Sequence, residues 1–208
     1  TVVNNVETLA CVPHIIERGP EWFAAIGPEK SPGPKLYCLS GHLNKPGVVE
    51  LPMGYPLDKM INEQGGGCRN GHRIKAVIPG GLSAPMLPAG QLGIAMDFDT
   101  LAAAGSMLGS AGVIVMDETT NIVEIVKRSM EFFSHESCGK CTPCREGTGW
   151  MMRVMDRLVK GEAELEEIDM LFQVTKQVEG HTICALGDAM AMTSVGGGDL
   201  VIVGKRHA

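Results

Sequence analysis

Three cysteines, Cys138, Cys141 and Cys144, recur at two-residue gaps in S-C-G-K-C-T-P-C-R, and a fourth, Cys184, lies far downstream in G-H-T-I-C-A-L-G. Three thiolates on one short loop can each grip an iron of a cubane, and a remote thiolate can close its fourth corner. A chain built this way must fold so that residue 184 returns to the loop, which makes the intervening stretch a scaffold. The pattern predicts a [4Fe–4S] site and, with it, electron transfer.

Structural zinc is the competing assignment. Zinc sites usually draw their ligands from two paired C-x-x-C knuckles, whereas here three ligands share a loop and the fourth stands alone, which suits a cube better than a tetrahedron. A thioredoxin-type C-x-x-C needs no third or fourth cysteine. Cys144 is expected at or just before the start of the helix carrying Trp150. Free N–H groups and partial positive charge at that end would stabilise an anionic cluster. Lys140 and Arg145 push the same way, and Pro143 stiffens the loop. Cys11, Cys38 and Cys68 lack ligand-like spacing and read as small buried or half-buried apolar residues. His135 and His181, each three residues before a candidate ligand, read as packing histidines.

With 208 residues the chain can bury about 70% of its unfolded surface as one large or two small domains. A net charge of −6 argues against nucleic acid as a partner. No run approaches the roughly 18 apolar residues of a membrane span, so direct insertion is not expected. Seven cysteines, three of them clustered, fit a reducing compartment better than a disulfide scaffold. The start, T-V-V-N-N-V-E-T, has no initiator Met, no basic region and no long apolar core. It is not a secretory signal, and it reads as a start inside something larger.

Residues 1–32 read as two helical pieces, with Val6, Leu9, Ala10 and Ile16 on one face and Pro20 opening a second helix that stops at Gly27. Asn4-Asn5-Val6-Glu7-Thr8 fits an N-cap at Asn4 with Glu7 completing a capping box, or alternatively a set of amides and a hydroxyl for a flavin phosphate. After Ser31–Pro34 the period becomes strand-like: Leu36–Leu43 and Val48–Leu51 joined by an Asn44–Gly47 turn, a short helix Leu57–Glu63, and strands Ile74–Ile78 and Gly112–Met116, with a helix near Phe98–Ala104. Gly65–Gly67 and Gly80–Gly81 read as turn glycines, since neither completes a phosphate-binding fingerprint. From Thr119 the chain turns helical, with apolar stripes at 122–133, at Trp150, Met151, Val154, Leu158 and Val159, and at Ile168, Leu171, Phe172, Thr175 and Val178.

The segments N-N-V-E-T-L-A, G-P-K-L-Y-C-L-S-G-H, A-V-I-P-G-G, G-S-M-L-G-S-A-G-V-I-V-M-D, H-E-S-C-G-K-C-T-P-C-R-E-G and E-G-H-T-I-C-A-L-G-D resemble the NADH-binding flavoprotein subunits of respiratory complex I. They resemble equally the diaphorase subunits of NAD-reducing hydrogenases and NAD-linked formate dehydrogenases. The resemblance implies an α+β chain in three parts: residues 1–32 as the helical tail of an FMN/NADH-binding domain, 33–117 as a β-grasp (SLBB) domain, and 118–208 as a four-helix iron–sulfur bundle. It implies that Cys138, Cys141, Cys144 and Cys184 hold a [4Fe–4S] cluster and that Asn4, Asn5 and Thr8 line the FMN site. It further implies NADH as substrate and electron flow toward quinone. The implied partners are a thioredoxin-like [2Fe–2S] subunit and a large iron–sulfur subunit, in a peripheral arm on the cytoplasmic face of the inner membrane or the mitochondrial matrix side.

The sequence departs from that family pattern twice. The glycine-rich flavin and NADH segment of such subunits does not occur in it, so the chain reads as a C-terminal fragment, inactive alone. Beyond Gly187-Asp188 the family's apolar helix gives way to S-V-G-G-G-D-L-V-I-V-G, whose glycines are costly in a helix; a frame shift near Ala189 would explain it. Outside this family, a zinc-stapled interaction module and a free-standing ferredoxin-like carrier are the rival readings.

Overall fold

The computed structural model describes residues 1–195. A five-stranded mixed sheet lies at its centre, in the order β2-β1-β5-β3-β4, formed by β1 (Pro34–Gly41), β2 (Gly47–Pro52), β3 (Ile74–Ile78), β4 (Leu87–Pro88) and β5 (Gly112–Asp117). Strand β1 pairs antiparallel with β2 through the expected hairpin and parallel with β5, while β3 runs antiparallel to both β5 and β4. The hairpin's first strand stops at Gly41, earlier than the apolar pattern suggested. There the backbone turns left-handed (φ +85°), and a Cβ would lie 2.2 Å from the Val115 carbonyl oxygen. Only glycine allows β1 so close to β5 at that point.

Side chains alternate across a strand, and here both faces are used. Val77, Val113 and Val115 join Tyr37, Leu39, Leu57, Met60 and Ile61 in one core. Their neighbours Ala76, Ile78 and Met116 join Val126, Met130, Phe133, Met151 and Leu171 in another. Four helices supply that second layer: α5 (Ile122–Glu136), α6 (Thr142–Lys160), α7 (Leu165–Val178) and α8 (Leu186–Val195). Helix and sheet therefore share a core. Helix α6 ends on left-handed Gly161, and α7 starts with a reciprocal Glu164–Glu167 capping box. No helix among the described residues is long and apolar enough to cross a membrane.

Local departures from the sequence pattern have physical causes. The expected helix at 57–63 keeps an α-turn only over α3 (Leu57–Lys59) and widens into a π-turn over Met60–Gln64, where the Gly65 N–H donates to the Met60 carbonyl. The short helix α4 spans Phe98–Ala103. On α6, Met151, Val154 and Met155 are buried, while Trp150 and Val159 are 50% and 37% exposed, lying off the buried stripe. On α7, Phe172 stays 42% exposed beneath the Lys176 ammonium. Helix α8 runs through Ala189 with Met190 and Ala191 buried, so helical packing continues past the expected break; residues 196–208 lie outside the described residues.

Helices α1 (Val6–Arg18) and α2 (Pro20–Ala24) precede the sheet in the chain. Helix α1 buries none of its residues: Val6 and Ile16 are each 80% exposed. Its N-cap is Asn5, not Asn4, and Asn5 Oδ1 accepts from the Glu7 N–H at 2.8 Å. Glu7 does not reach back to complete a capping box. Its carboxylate instead pairs with Lys35 and accepts the Leu36 N–H, tying α1 to the start of β1.

At the far end of β5, the fully buried Asp117 carboxylate gathers three segments. His42 Nδ1 lies 2.8 Å away and His72 Nδ1 3.0 Å away, and the Thr119 hydroxyl donates at 2.6 Å. The Thr119 hydroxyl first, then His72 and His42, hold the Asp117 carboxyl well below the usual carboxylate range against the opposing effect of burial. A carboxyl with a depressed folded-state pKa stabilises the fold above its ordinary value near pH 4, and that stability is lost as pH falls. Asp117→Asn is expected to melt several degrees lower at pH 7, with the deficit shrinking as pH falls below about 4. Melting curves of the two proteins that stay parallel from pH 7 to 3 would contradict this account.

Candidate metal centre

The ligand loop begins where α5 stops. Ser137 caps the helix with an extended backbone, Gly139 turns left-handed (φ +72°), and Cys141 becomes the N-cap of α6. The Arg145 N–H then donates to the Cys141 carbonyl at 2.9 Å to begin the helix. Cys144 thus sits inside the first turn of α6, three positions past its cap, rather than at or before its start. Pro143 occupies an early helical position that needs no N–H donor. The Thr148 hydroxyl donates to the Cys144 carbonyl at 2.7 Å, and Cys144 is only 5% exposed. Arg145 closes the loop from outside, donating to the Gly139 carbonyl at 3.1 Å and pairing with Glu146.

Two glycines bring the second segment to this loop. A Cβ on Gly147, one turn along α6, would lie 2.4 Å from one methyl of Val178, and a Cβ on Gly187 would lie 3.1 Å from the other. Val178, the last residue of α7 and buried, is therefore wedged between the starts of α6 and α8. The 180–186 turn is tied to the start of α8 by the Gly180 N–H donating to Asp188 at 2.6 Å, and is closed on itself by the Thr182 hydroxyl donating to the Cys184 carbonyl at 2.8 Å. Neither glycine stood out in the sequence. Their only signal was a small residue shortly after each candidate ligand.

The four candidate thiols share one electrostatic neighbourhood. Burial raises the Cys144 pKa most, and the thiols of Cys141, Cys184 and Cys138 add to it, while the Ser137 hydroxyl opposes. Cys138 and Cys184 are exposed and Cys141 half-buried, so the site opens to the surface from a buried floor. All seven cysteines are free. Among the described residues, no three His, Cys, Asp or Glu side chains are arranged to hold a single ion. Four free thiols, Cys144 and three within its electrostatic reach, are a donor set whose chemistry fits a sulfur-bridged cluster.

Other expected site residues are placed differently. Asn4, Asn5 and Thr8 are exposed at the start of α1. His135, its side chain 86% exposed, pairs with Glu136, and the exposed His181 lies 2.8 Å from the Glu179 carbonyl. Neither is a packed histidine, because both sit where a helix has run out onto the surface. Cys68 is buried and Cys11 half-buried, but Cys38 is exposed on β1.

Residues 124–196 match the family profile of the NADH-ubiquinone oxidoreductase-F iron–sulfur binding region, and residues 35–115 that of the SLBB domain. An NADH-quinone oxidoreductase F subunit of Rhizobium meliloti (strain 1021) is 58% identical over 192 residues, 92% of this chain and 46% of that protein. Its counterpart in Rickettsia bellii (strain OSU 85-389) is 58% identical over 193 residues, again 92% of this chain and 46% of that protein. The chain belongs to the NADH-quinone oxidoreductase F-subunit family. It spans about half the length of these relatives, which are oxidoreductase subunits. Among solved structures, the NAD+-reducing [NiFe]-hydrogenase in its air-oxidized state matches with a TM-score of 0.85 and 32% identity, over 100% of this chain and 34% of that chain.

The contrast in burial makes one expectation independent of any bound group. In metal-free protein, iodoacetamide should label Cys138 and Cys184 at least about tenfold faster than Cys144, because the thiolate is the nucleophile and Cys144 is both buried and pushed up in pKa. Mass spectrometry of timed samples reads the order. Equal rates would mean that Cys144 is not on the floor of the site.

Proposed function

We propose that this chain is the electron-transfer part of an NADH dehydrogenase flavoprotein subunit, passing electrons from NADH-reduced FMN toward quinone through a [4Fe–4S] cluster. The observation that carries the reading is the return of Cys184, across the Val178 wedge, to the neighbourhood of the buried Cys144. Cys138, Cys141, Cys144 and Cys184 would hold the cluster, which when bound supplies one-electron transfer beside a two-electron donor. The chain's own part is to hold and tune. The α6 N-terminus offers partial positive charge, Arg145 adds a cation against the loop, and buried Cys144, Gly147, Thr148 and Met151 keep water from the inner side.

Within this reading, residues 1–32 are the end of an FMN/NADH-binding domain, 33–117 the β-grasp domain and 118–208 the cluster-binding four-helix domain. Asn4, Asn5 and Thr8 would face FMN from the start of α1, where a helix N-terminus favours a phosphate. NADH and most flavin contacts are assigned to the part of the relatives that this chain does not span, so the span alone should not turn over NADH. The partners would be a thioredoxin-like [2Fe–2S] subunit and a large iron–sulfur subunit, in a peripheral arm at the cytoplasmic or matrix face of the membrane. The likeness to an NAD+-reducing hydrogenase favours a second reading, the diaphorase subunit of such an enzyme.

Anaerobically purified protein should be brown and carry about four irons and four acid-labile sulfides per chain. Cys184→Ala should lose or convert that cluster, changing the electron paramagnetic resonance spectrum of the reduced protein. Stoichiometric zinc without sulfide, or a spectrum untouched by the substitution, would overturn the assignment.

A further inference from the structure

Ser137 has a place in the site that its role as the end of α5 does not require. Its hydroxyl oxygen lies 3.2 Å from the Cys144 sulfur and 3.4 Å from the Gly139 nitrogen, whose N–H donates to it. A serine hydroxyl has one proton and two lone pairs. Between a serine hydroxyl and a cysteine thiol either atom can donate, but a ligating thiolate carries no proton, so toward it the Ser137 hydroxyl is the donor while Gly139 occupies one of its lone pairs. Gly139 is itself fixed, left-handed in backbone and held at its carbonyl by Arg145. The donor, the acceptor that orients it and the clamp behind them all belong to the ligand loop, so the geometry is set before any cluster binds.

We propose that Ser137 is a positioning residue that donates a hydrogen bond to the Cys144 sulfur and thereby raises the reduction potential of the cluster. The inference rests on the cluster reading above. A hydrogen bond to a ligand sulfur withdraws charge from it and favours the more negative, reduced state. Cys144 is the ligand on which such a bond counts most. It is the buried one, and a hydrogen bond is electrostatically stronger away from water. Exposed Cys138 and Cys184 have solvent as an alternative donor.

The test uses the full chain purified anaerobically with its cluster, in wild-type form and as Ser137→Ala, Ser137→Thr and Ser137→Val. Iron and sulfide are measured first, then the midpoint potential by redox titration followed by electron paramagnetic resonance. Ser137→Ala should keep its iron and shift the redox equilibrium about tenfold toward the oxidised form, ~59 mV lower for one electron. Ser137→Thr should hold the wild-type potential, whereas Ser137→Val, the same shape without the hydroxyl, should follow alanine. A purely structural cap would lower stability in Ser137→Ala and leave the potential alone, and that result overturns the proposal while sparing the cluster. Wild-type protein without iron and sulfide overturns the cluster reading itself. If Ser137→Ala and Ser137→Val assemble no cluster, electron–nuclear double resonance of reduced wild type decides. A strongly coupled proton that is lost in deuterium oxide and present in Ser137→Thr supports the bond, and its absence overturns it.

Discussion

The site depends on Val178. Its two methyl groups face Gly147 on the second turn of α6 and Gly187 on the first turn of α8. Through that contact the end of one helix sets the distance between the starts of two others. Ligand chemistry makes Cys144 and Cys184 capable of sharing a cluster, but this wedge makes them neighbours. A side chain larger than hydrogen at either glycine would push against a buried methyl, and a packed interior has few voids to absorb the shift.

The same helices cover the sheet. Strands β3 and β5 send alternate residues into two different cores, one closed by the loops and short helices of the β-rich part and one closed by α5–α8. The cysteine loop is thus fastened to the sheet through Met130, Phe133 and Met151 rather than hung from it on a linker. Asp117 closes the arrangement at the end of β5, drawing His42 and His72 from two separate loops onto one carboxylate just before the chain enters α5. For a proposed electron carrier this matters, because one-electron transfer is favoured when the donor atoms need not rearrange with each charge state.

Much of this could be read in the residues. Alternation placed β3 at Ile74–Ile78, as found, and the apolar stripes located α5, α6 and α7 to within a few residues. The cysteine spacing isolated four candidates from seven. What stayed hidden depends on the company each residue keeps. The apolar face of α1 looks like a core face by period alone, yet Val6, Leu9 and Ile16 are exposed. Cys144 looks like a loop residue in C-T-P-C and is instead buried in a helix, because Pro143 is well placed in a first turn. His135 and His181 invite a packed role beside the ligands, but helix ends carry both onto the surface.

The sequence by itself determined which side chains could bind metal and which segments alternate or wind, since these follow from chemistry and period within a few residues. Only the tertiary structure decided that Cys184 returns to Cys144, that the Ser137 hydroxyl faces a sulfur, and that Glu7 anchors α1 to β1 instead of capping it. Each of those is a contact of a few ångströms between elements, set by how methyls, glycines and carboxylates fit across the gap. No local pattern encodes that fit.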